Sequence, residues 1–289
     1  MKKLTIKAPA KVNLFLKVLG KRPDGYHDIY SWFQAVDLFD ILTLNRIEDP
    51  SFSLHITGTD DLKADDSNLV IKAARLMFGR FDLAGGLEIT LHKNIPVSAG
   101  LAGGSSDAAA TMEGINRLFG LGLGGRQLAR IGLKLGSDIP FFFSGGQAEV
   151  TGRGEKIKKI YLPLNYCLIL ITPDILISTA ESYAGLKMGL TSPGNVIKLF
   201  RCKDFKELVG RSLESGNDFE RAHFRSFPEL PEIRDALENI GAAVTRMSGS
   251  GPTMFGMFEY IPEGDDLHRI TRGNWRMNAV RPITLPAWD

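Results

Sequence analysis

The sequence predicts an α+β protein of two domains, and three observations carry that reading. The chain has 289 residues, more than a single hydrophobic core usually serves. Strand-like apolar runs recur in both halves, with helix-spaced apolar positions between them. Between a strand pattern and a helix pattern lies Pro96-Val97-Ser98-Ala99-Gly100-Leu101-Ala102-Gly103-Gly104-Ser105-Ser106-Asp107, a turn of small residues.

Taken in order, Leu4–Ala8 and Val12–Leu19 read as strands separated by Pro9, the second with apolar residues on both faces. Lys21–His27 is a turn signalled by Pro23-Asp24-Gly25. Ser31–Val36, Ile41–Leu44 and Phe52–Thr57 follow as strand candidates. Helical spacing of Leu69, Ala73, Leu76 and Met77 predicts a helix over Asn68–Phe78. Leu87–His92 alternates as a strand. Beyond the glycine-rich turn, Ala108, Met112, Ile115 and Phe119 share one helical face.

Leu128–Leu135 reads as a further helix closed by Gly136, and Ser137-Asp138 opens the hydrophobic run from Ile139. Ala148–Val150 is a short strand and Gly152–Glu155 a turn. A domain change is expected near Lys156–Pro163, giving domains 1–158 and 159–289. The second half restarts with a strand at Tyr166–Thr172. Helices are expected over Ser178–Leu186 and Phe205–Leu213, from Phe219, and over Ile233–Ile240 after Pro231. Val244–Ser248 and Met254–Phe258 read as strands flanking a second glycine turn, Ser248-Gly249-Ser250-Gly251-Pro252.

Composition narrows the function classes. The chain carries 35 basic and 33 acidic side chains, a net charge of +2, with 44% hydrophobic and 24% charged residues. No segment has the basic stripe of a dedicated nucleic-acid binder. His268–Arg281, with four arginines and a histidine, reads as a solvated face. Cys167 and Cys202 make no disulfide framework and fit a reducing cytoplasm. The N-terminus lacks a signal-peptide apolar stretch, and the longest apolar runs fall far short of a membrane span. No nucleic-acid or membrane partner is expected.

The glycine-rich turn has a direct chemical reading. Gly and Ala let backbone N–H groups approach a ligand, and a following helix adds unpartnered N–H groups and a positive dipole end. Together they form a polyanion cradle suited to a nucleotide polyphosphate. No lysine follows the glycines, so this is not the common P-loop. A turn needing glycine only for packing is the alternative. Asp107 is awkward here, because a carboxylate beside bound phosphate repels it. It points away, caps the helix or helps to hold Mg²⁺ through water. Ser105 and Ser106 offer hydroxyls to phosphate or metal.

Lys11 and Asp138 each sit at the end of an apolar element. If they meet, the lysine lowers the carboxylate pKa, and the carboxylate can still orient a hydroxyl and take its proton late in phosphoryl transfer. Either residue alone reads more readily as structural than as catalytic. Tyr26 and His27 form a ring pair on a turn, able to stack on a planar base or to cap a local apolar patch. His55, His92, His223 and His268 lack metal-ligand spacing. The second glycine turn reads either as another backbone nest or as a plain hairpin.

Three blocks carry a resemblance. They are Ala8-Pro9-Ala10-Lys11-Val12-Asn13-Leu14 with Arg22–His27 behind it, Pro96–Ala110, and Arg246–Pro252. With Gly136–Phe142 they make the chain similar to the GHMP small-metabolite kinases, which include galactokinase, homoserine kinase and mevalonate kinase. The resemblance runs from Lys7 to about Phe258. It implies an α+β, two-domain GHMP kinase fold with ATP and substrate in the interdomain cleft, and Mg²⁺ as helper. The acceptor it implies is a small-molecule, cytidine diphosphate-linked substrate, phosphorylated on a hydroxyl.

Carried over by position, Asp138 is the base or hydroxyl-orienting group and Lys11 its electrostatic partner. Asn13, Tyr26, His27, Ser178 and Thr179 hold the substrate, with the two rings on the cytosine. Pro96, Ala99, Gly100, Leu101, Ala102, Gly103, Gly104, Ser105 and Ser106 hold ATP, Lys93 borders the adenine pocket, and Ser106 is the metal-ligand candidate. A monomer or weak homodimer is expected. The same fold with another acceptor, a decarboxylase, and a non-catalytic nucleotide binder remain alternatives.

Two features depart from the pattern. Ala102 stands where many relatives have the first of three glycines. A methyl there is tolerable at negative φ, so little effect on the cradle is expected. The tail from Trp275 to Asp289 matches no block, and reads as a closing strand or a dimer contact.

Overall fold

The structure, a computed structural model, describes residues 2–184, 186, 201–270 and 272–285. The end of the tail, with Pro286, lies outside the described residues. A first sheet holds β1 (Lys3–Lys21), β2 (His27–Ile47), β3 (Phe52–Thr57), β4 (Gly86–His92), β5 (Gln147–Gly152) and β6 (Lys156–Lys159). Its strand order is β3-β4-β2-β5-β6, with β1 paired to β2. The second sheet is antiparallel, in the order β10 (Arg276–Val280), β7 (Cys167–Thr172), β9 (Met254–Phe258), β8 (Val244–Met247).

Pro9 does not divide the first strand. Among the described strands β1 pairs with β2 alone, and Pro9 lies at a register shift opposite Phe39, so its missing N–H interrupts no central ladder. A second shift between Asn13 and Phe15 exchanges the faces. Val12 and Leu14 pack in one core cluster, whereas Leu16 and Val18 pack in the other. Ser31–Val36 and Ile41–Leu44 likewise belong to one strand. The intervening aspartates are satisfied from outside: Asp37 Oδ1 accepts Arg281 N–H at 2.6 Å, and Asp40 Oδ1 accepts Asn94 and Ile95 N–H at 2.6 and 2.8 Å.

Most helices follow their sequence signals, although the one at Gly264–Ile270 is not among those expected. α1 (Leu69–Phe81) is capped by Asn68, whose side chain accepts Val70 N–H at 3.0 Å. α2 (Gly103–Leu118) buries Ala108, Met112 and Ile115 against the first sheet. α3 (Gly125–Gly132) leads through Gly136 to a 3₁₀ turn over Ile139–Phe143. Then come α4 (Thr179–Ala184), α5 (Phe205–Ser215), α6 (Glu220–Ser226), α7 (Glu229–Asn239) and α8 (Gly264–Ile270). α7 begins before Pro231, which occupies its first turn, where a missing N–H loses no helical bond.

The tail is a closing strand where it is described. β10 pairs with β7, and the chain then returns to the first half, where Ile283 N–H donates to Ala35 O at 2.9 Å and Leu285 N–H to Gly145 O at 3.0 Å. Arg276 and Arg272 of the mildly basic segment bond to Asn94 O and to Glu232. One core cluster joins Ala10, Val12 and Leu14 to Leu168, Leu170 and Phe255, so β1 packs against the second sheet as well as its own.

Candidate active site

A cleft of about 1110 Å³ gathers residues from both halves of the chain. Its one side is the glycine-rich turn and the start of α2. Pro96, Ala99, Gly100, Ala102, Gly103, Gly104 and Ser105 line it. No side chain caps α2, so its first N–H groups stay open to a ligand. The turn is wound by three residues at positive φ: Ser98 at 54°, Gly100 at 76° and Ala102 at 56°. The expectation of a negative φ at Ala102 is therefore overturned. The chain must reverse at this residue to begin α2, and alanine carries the left-handed strain that glycine would avoid.

Gly100 is required by contact as well as by φ. A Cβ on it would lie 2.1 Å from the carbonyl oxygen of Ser248. The second glycine turn is thus no free hairpin: Ser248 Oγ donates to Gly100 O at 2.9 Å and accepts Asn13 N–H at 3.2 Å. Gly249 and Ser250 reach the cleft, and Ser250 Oγ lies 2.9 Å from Thr179 Oγ1 at the start of α4. Ser178 and Thr179 line the cleft beside it.

Lys11 lies at the junction of the two turns. It is 3% exposed. Its ammonium donates to Asn13 Oδ1 at 2.6 Å and to Gly100 O at 2.7 Å, and stands 5.0 Å from the centre of the Phe33 ring. Two of its three N–H groups are thereby used. Burial lowers its pKa to about 8, against the opposing pull of Asp138. Asn13 is fixed in turn by Ser31 Oγ, which accepts Asn13 Nδ2 at 3.0 Å.

Asp138 begins the 3₁₀ turn, where Pro140 fixes the backbone, and it lines the cleft. Its carboxylate acts on Lys11 through space rather than by an ion pair: among the described residues no salt bridge joins them. The 153–154 turn closes over it, since a Cβ on Gly154 would lie 3.7 Å from Asp138 Oδ1.

The far wall is aromatic. Tyr26 is half-exposed and carries the Arg153 guanidinium 4.9 Å above its ring centre. His27 stacks on Tyr183 at 4.8 Å, and Tyr183 meets Phe219 edge-on at 4.9 Å. Burial and the Asp138 charge push the Tyr183 hydroxyl up to about 12. Tyr183, Phe219 and Arg153 were not identified from the sequence as site residues, whereas Gly249 belongs to the second glycine turn, already read as a nest or a hairpin. Tyr183 lies in a helix anticipated for other reasons, and only long-range packing brings it to His27.

Lys93, Asp107, Ser106 and Leu101 lie at or beneath the floor. Lys93 borders the cleft, yet its ammonium is held by Asp40 and by Asp107 Oδ2 at 2.8 Å. Burial opposes its charge, but the two carboxylates outweigh it and raise the lysine pKa. Asp107 therefore turns away from the cleft. Burial, with the Asp40 charge added, raises its pKa in spite of Lys93. Ser106 and Leu101 do not line the cleft. Leu101 is buried and its carbonyl accepts Lys11 N–H at 3.1 Å. Ser106 is buried, and its Oγ makes no hydrogen bond. No helix among the described residues is long and apolar enough to cross a membrane.

Comparison with known proteins gives the family and the fold. The family model of the GHMP kinases N terminal domain matches residues 68–146, and that of the GHMP kinases C terminal matches residues 197–272. A 4-diphosphocytidyl-2-C-methyl-D-erythritol kinase of Bacillus mycoides is 41% identical over 94% of this chain and 92% of its own. A crystal structure of 4-(cytidine 5'-diphospho)-2C-methyl-D-erythritol kinase superposes with a TM-score of 0.74 at 30% identity, over 96% of this chain and 99% of that one. Homoserine kinase from Cytophaga hutchinsonii shares the fold at 20% identity, with a TM-score of 0.75 over 98% of this chain and 96% of that one.

Proposed function

The chain belongs to the GHMP kinase family, and from that premise we propose that it moves the γ-phosphate of ATP to the 2-hydroxyl of 4-diphosphocytidyl-2-C-methyl-D-erythritol. The products are the 2-phosphate and ADP, within non-mevalonate isoprenoid biosynthesis in the cytoplasm. One observation carries the reading. The glycine cradle, Lys11, Asp138 and the Tyr26–His27 ring pair all line the same cleft.

Phosphoryl transfer asks the protein for placement and charge compensation. The open N–H groups of α2 and the glycine-rich turn hold the triphosphate. Tyr26 and His27 hold the cytosine, and Asn13, Ser178 and Thr179 border the rest of the acceptor. Asp138 orients the hydroxyl and receives its proton as the new P–O bond forms and the bond to the β-phosphate oxygen breaks. The Lys11 ammonium stabilises charge on the developing alkoxide and the moving phosphoryl group.

Of the two serines in the first turn of α2, Ser105 borders the cleft and fits a magnesium ion that arrives with the nucleotide, whereas Ser106 Oγ is buried without a partner outside the cleft lining. No cluster of three acidic, histidine or cysteine residues forms a separate metal site among the described residues. Phosphate oxygens and the Ser105 hydroxyl would hold it, and when bound it would neutralise phosphate charge; Ser106, below the cleft floor, would support the turn that carries Ser105.

The test is ADP release coupled to a reporter, with the cytidylylated methylerythritol offered against mevalonate and homoserine. The reading expects turnover with the first alone. Turnover only with mevalonate or homoserine overturns the acceptor, and ADP release with none overturns the activity.

A further inference from the structure

We propose that Arg153 is a substrate-binding residue that holds the diphosphate of the acceptor, a role that rests on the reading of the cleft as a cytidine diphosphate site. The placement is what points to it. Tyr26 addresses the base and Asp138 the reacting hydroxyl, at opposite ends of the acceptor. The 153–154 turn touches both: the Arg153 guanidinium lies over the Tyr26 ring, and Gly154 packs against Asp138 and Ser137. An acceptor that joins its base to its polyol through a diphosphate must pass this turn.

Arg153 is also built to be available. Its backbone N–H is fixed by Glu155 Oε2 at 2.6 Å, which sets the turn, while its guanidinium has no carboxylate partner among the described residues. Arg22, by contrast, is occupied by Asp24 and Asp28, at 3.1 and 3.0 Å. Arg153 lines the cleft and is partly buried, which strengthens a charge-assisted bond over one made in open water. Its planar guanidinium can stay stacked on Tyr26 while its edge N–H groups meet phosphate oxygens. A single residue would thus support the base-stacking ring and bind the adjoining anion.

The experiment measures dissociation constants for CDP and cytidine, with a non-hydrolysable ATP analogue saturating the nucleotide site. The wild-type protein is expected to bind CDP at least tenfold more tightly than cytidine, as charge-assisted hydrogen bonds to phosphate require. Arg153→Met should lose at least tenfold in CDP affinity and less than twofold in cytidine affinity. Arg153→Lys, which keeps the charge, should recover part of the difference. With the full acceptor, KM should rise at least tenfold in Arg153→Met while KM for ATP holds. Equal weakening of CDP and cytidine would mean that Arg153 acts through Tyr26 alone, and unchanged CDP affinity would remove it from binding; either overturns the proposal. A wild-type protein that binds neither ligand refutes the cytidine reading itself, and this proposal with it.

Discussion

Ser248 Oγ donates to the carbonyl of Gly100 across 2.9 Å, joining two glycine turns 148 residues apart in sequence. The same hydroxyl accepts Asn13 N–H, so one buried side chain locks β1 to both turns. The proposed phosphate cradle and the proposed acceptor-side residues are thereby held as one unit, and Lys11 sits at their common edge.

Gly100→Ala tests that junction. The new methyl would meet the Ser248 carbonyl at 2.1 Å, on a backbone at φ 76°. Left-handed strain alone costs about 1–3 kcal/mol, and the clash adds to it. Thermal unfolding should fall by several degrees and KM for ATP should rise at least tenfold. Wild-type values for both would refute the close approach of the two turns.

Ala102→Gly should act in the opposite sense. Ala102 holds φ 56° at the start of α2. Relieving a left-handed alanine recovers about 1–2 kcal/mol, partly offset by the greater freedom of unfolded glycine. A small rise in the unfolding temperature is expected. A drop of several degrees would contradict the conformation assigned to Ala102.

The buried Lys93 group should be strongly coupled. Lys93→Met leaves Asp40 and Asp107 without their cation in a site where both are almost fully buried. Breaking such a group by removing one partner costs about 3–5 kcal/mol. Asp107→Asn added to that variant should restore part of the loss, because it removes a buried acid left without its cation beside Asp40. Additive losses in denaturant unfolding would exclude the coupling.

The pH profile reports Lys11. With its pKa lowered to about 8 by burial, the ammonium is protonated at neutral pH and loses its proton as pH rises through that value. The kcat/KM of the free enzyme should therefore decline on the alkaline side near pH 8. A profile flat to pH 10 would remove the charged Lys11 from the mechanism.

Much of the candidate site was legible because it is chemically local. Glycine and alanine spacing marks the proposed cradle, Pro23-Asp24-Gly25 marks the turn that presents Tyr26 and His27 to the cleft, and Ser137-Asp138 stands out before an apolar run. The remainder depends on distance in sequence. Pro9 reads as a break until the edge position of β1 makes its missing N–H harmless, and Asp37 and Asp40 interrupt a strand pattern until Arg281, Asn94 and Ile95 supply their partners. Tyr183 and Phe219 become a wall only through His27. The φ of Ala102 is set by the geometry of the turn, which its side chain does not announce.

The most direct test of the account is Asp138→Asn, assayed for phosphorylation of the cytidylylated acceptor alongside ATP affinity. A carboxamide keeps the size but cannot take the hydroxyl proton, so turnover should fall at least about 10²-fold, the scale of a positioned proton acceptor, with nucleotide affinity unchanged. Near-wild-type turnover in that variant would contradict the role of Asp138.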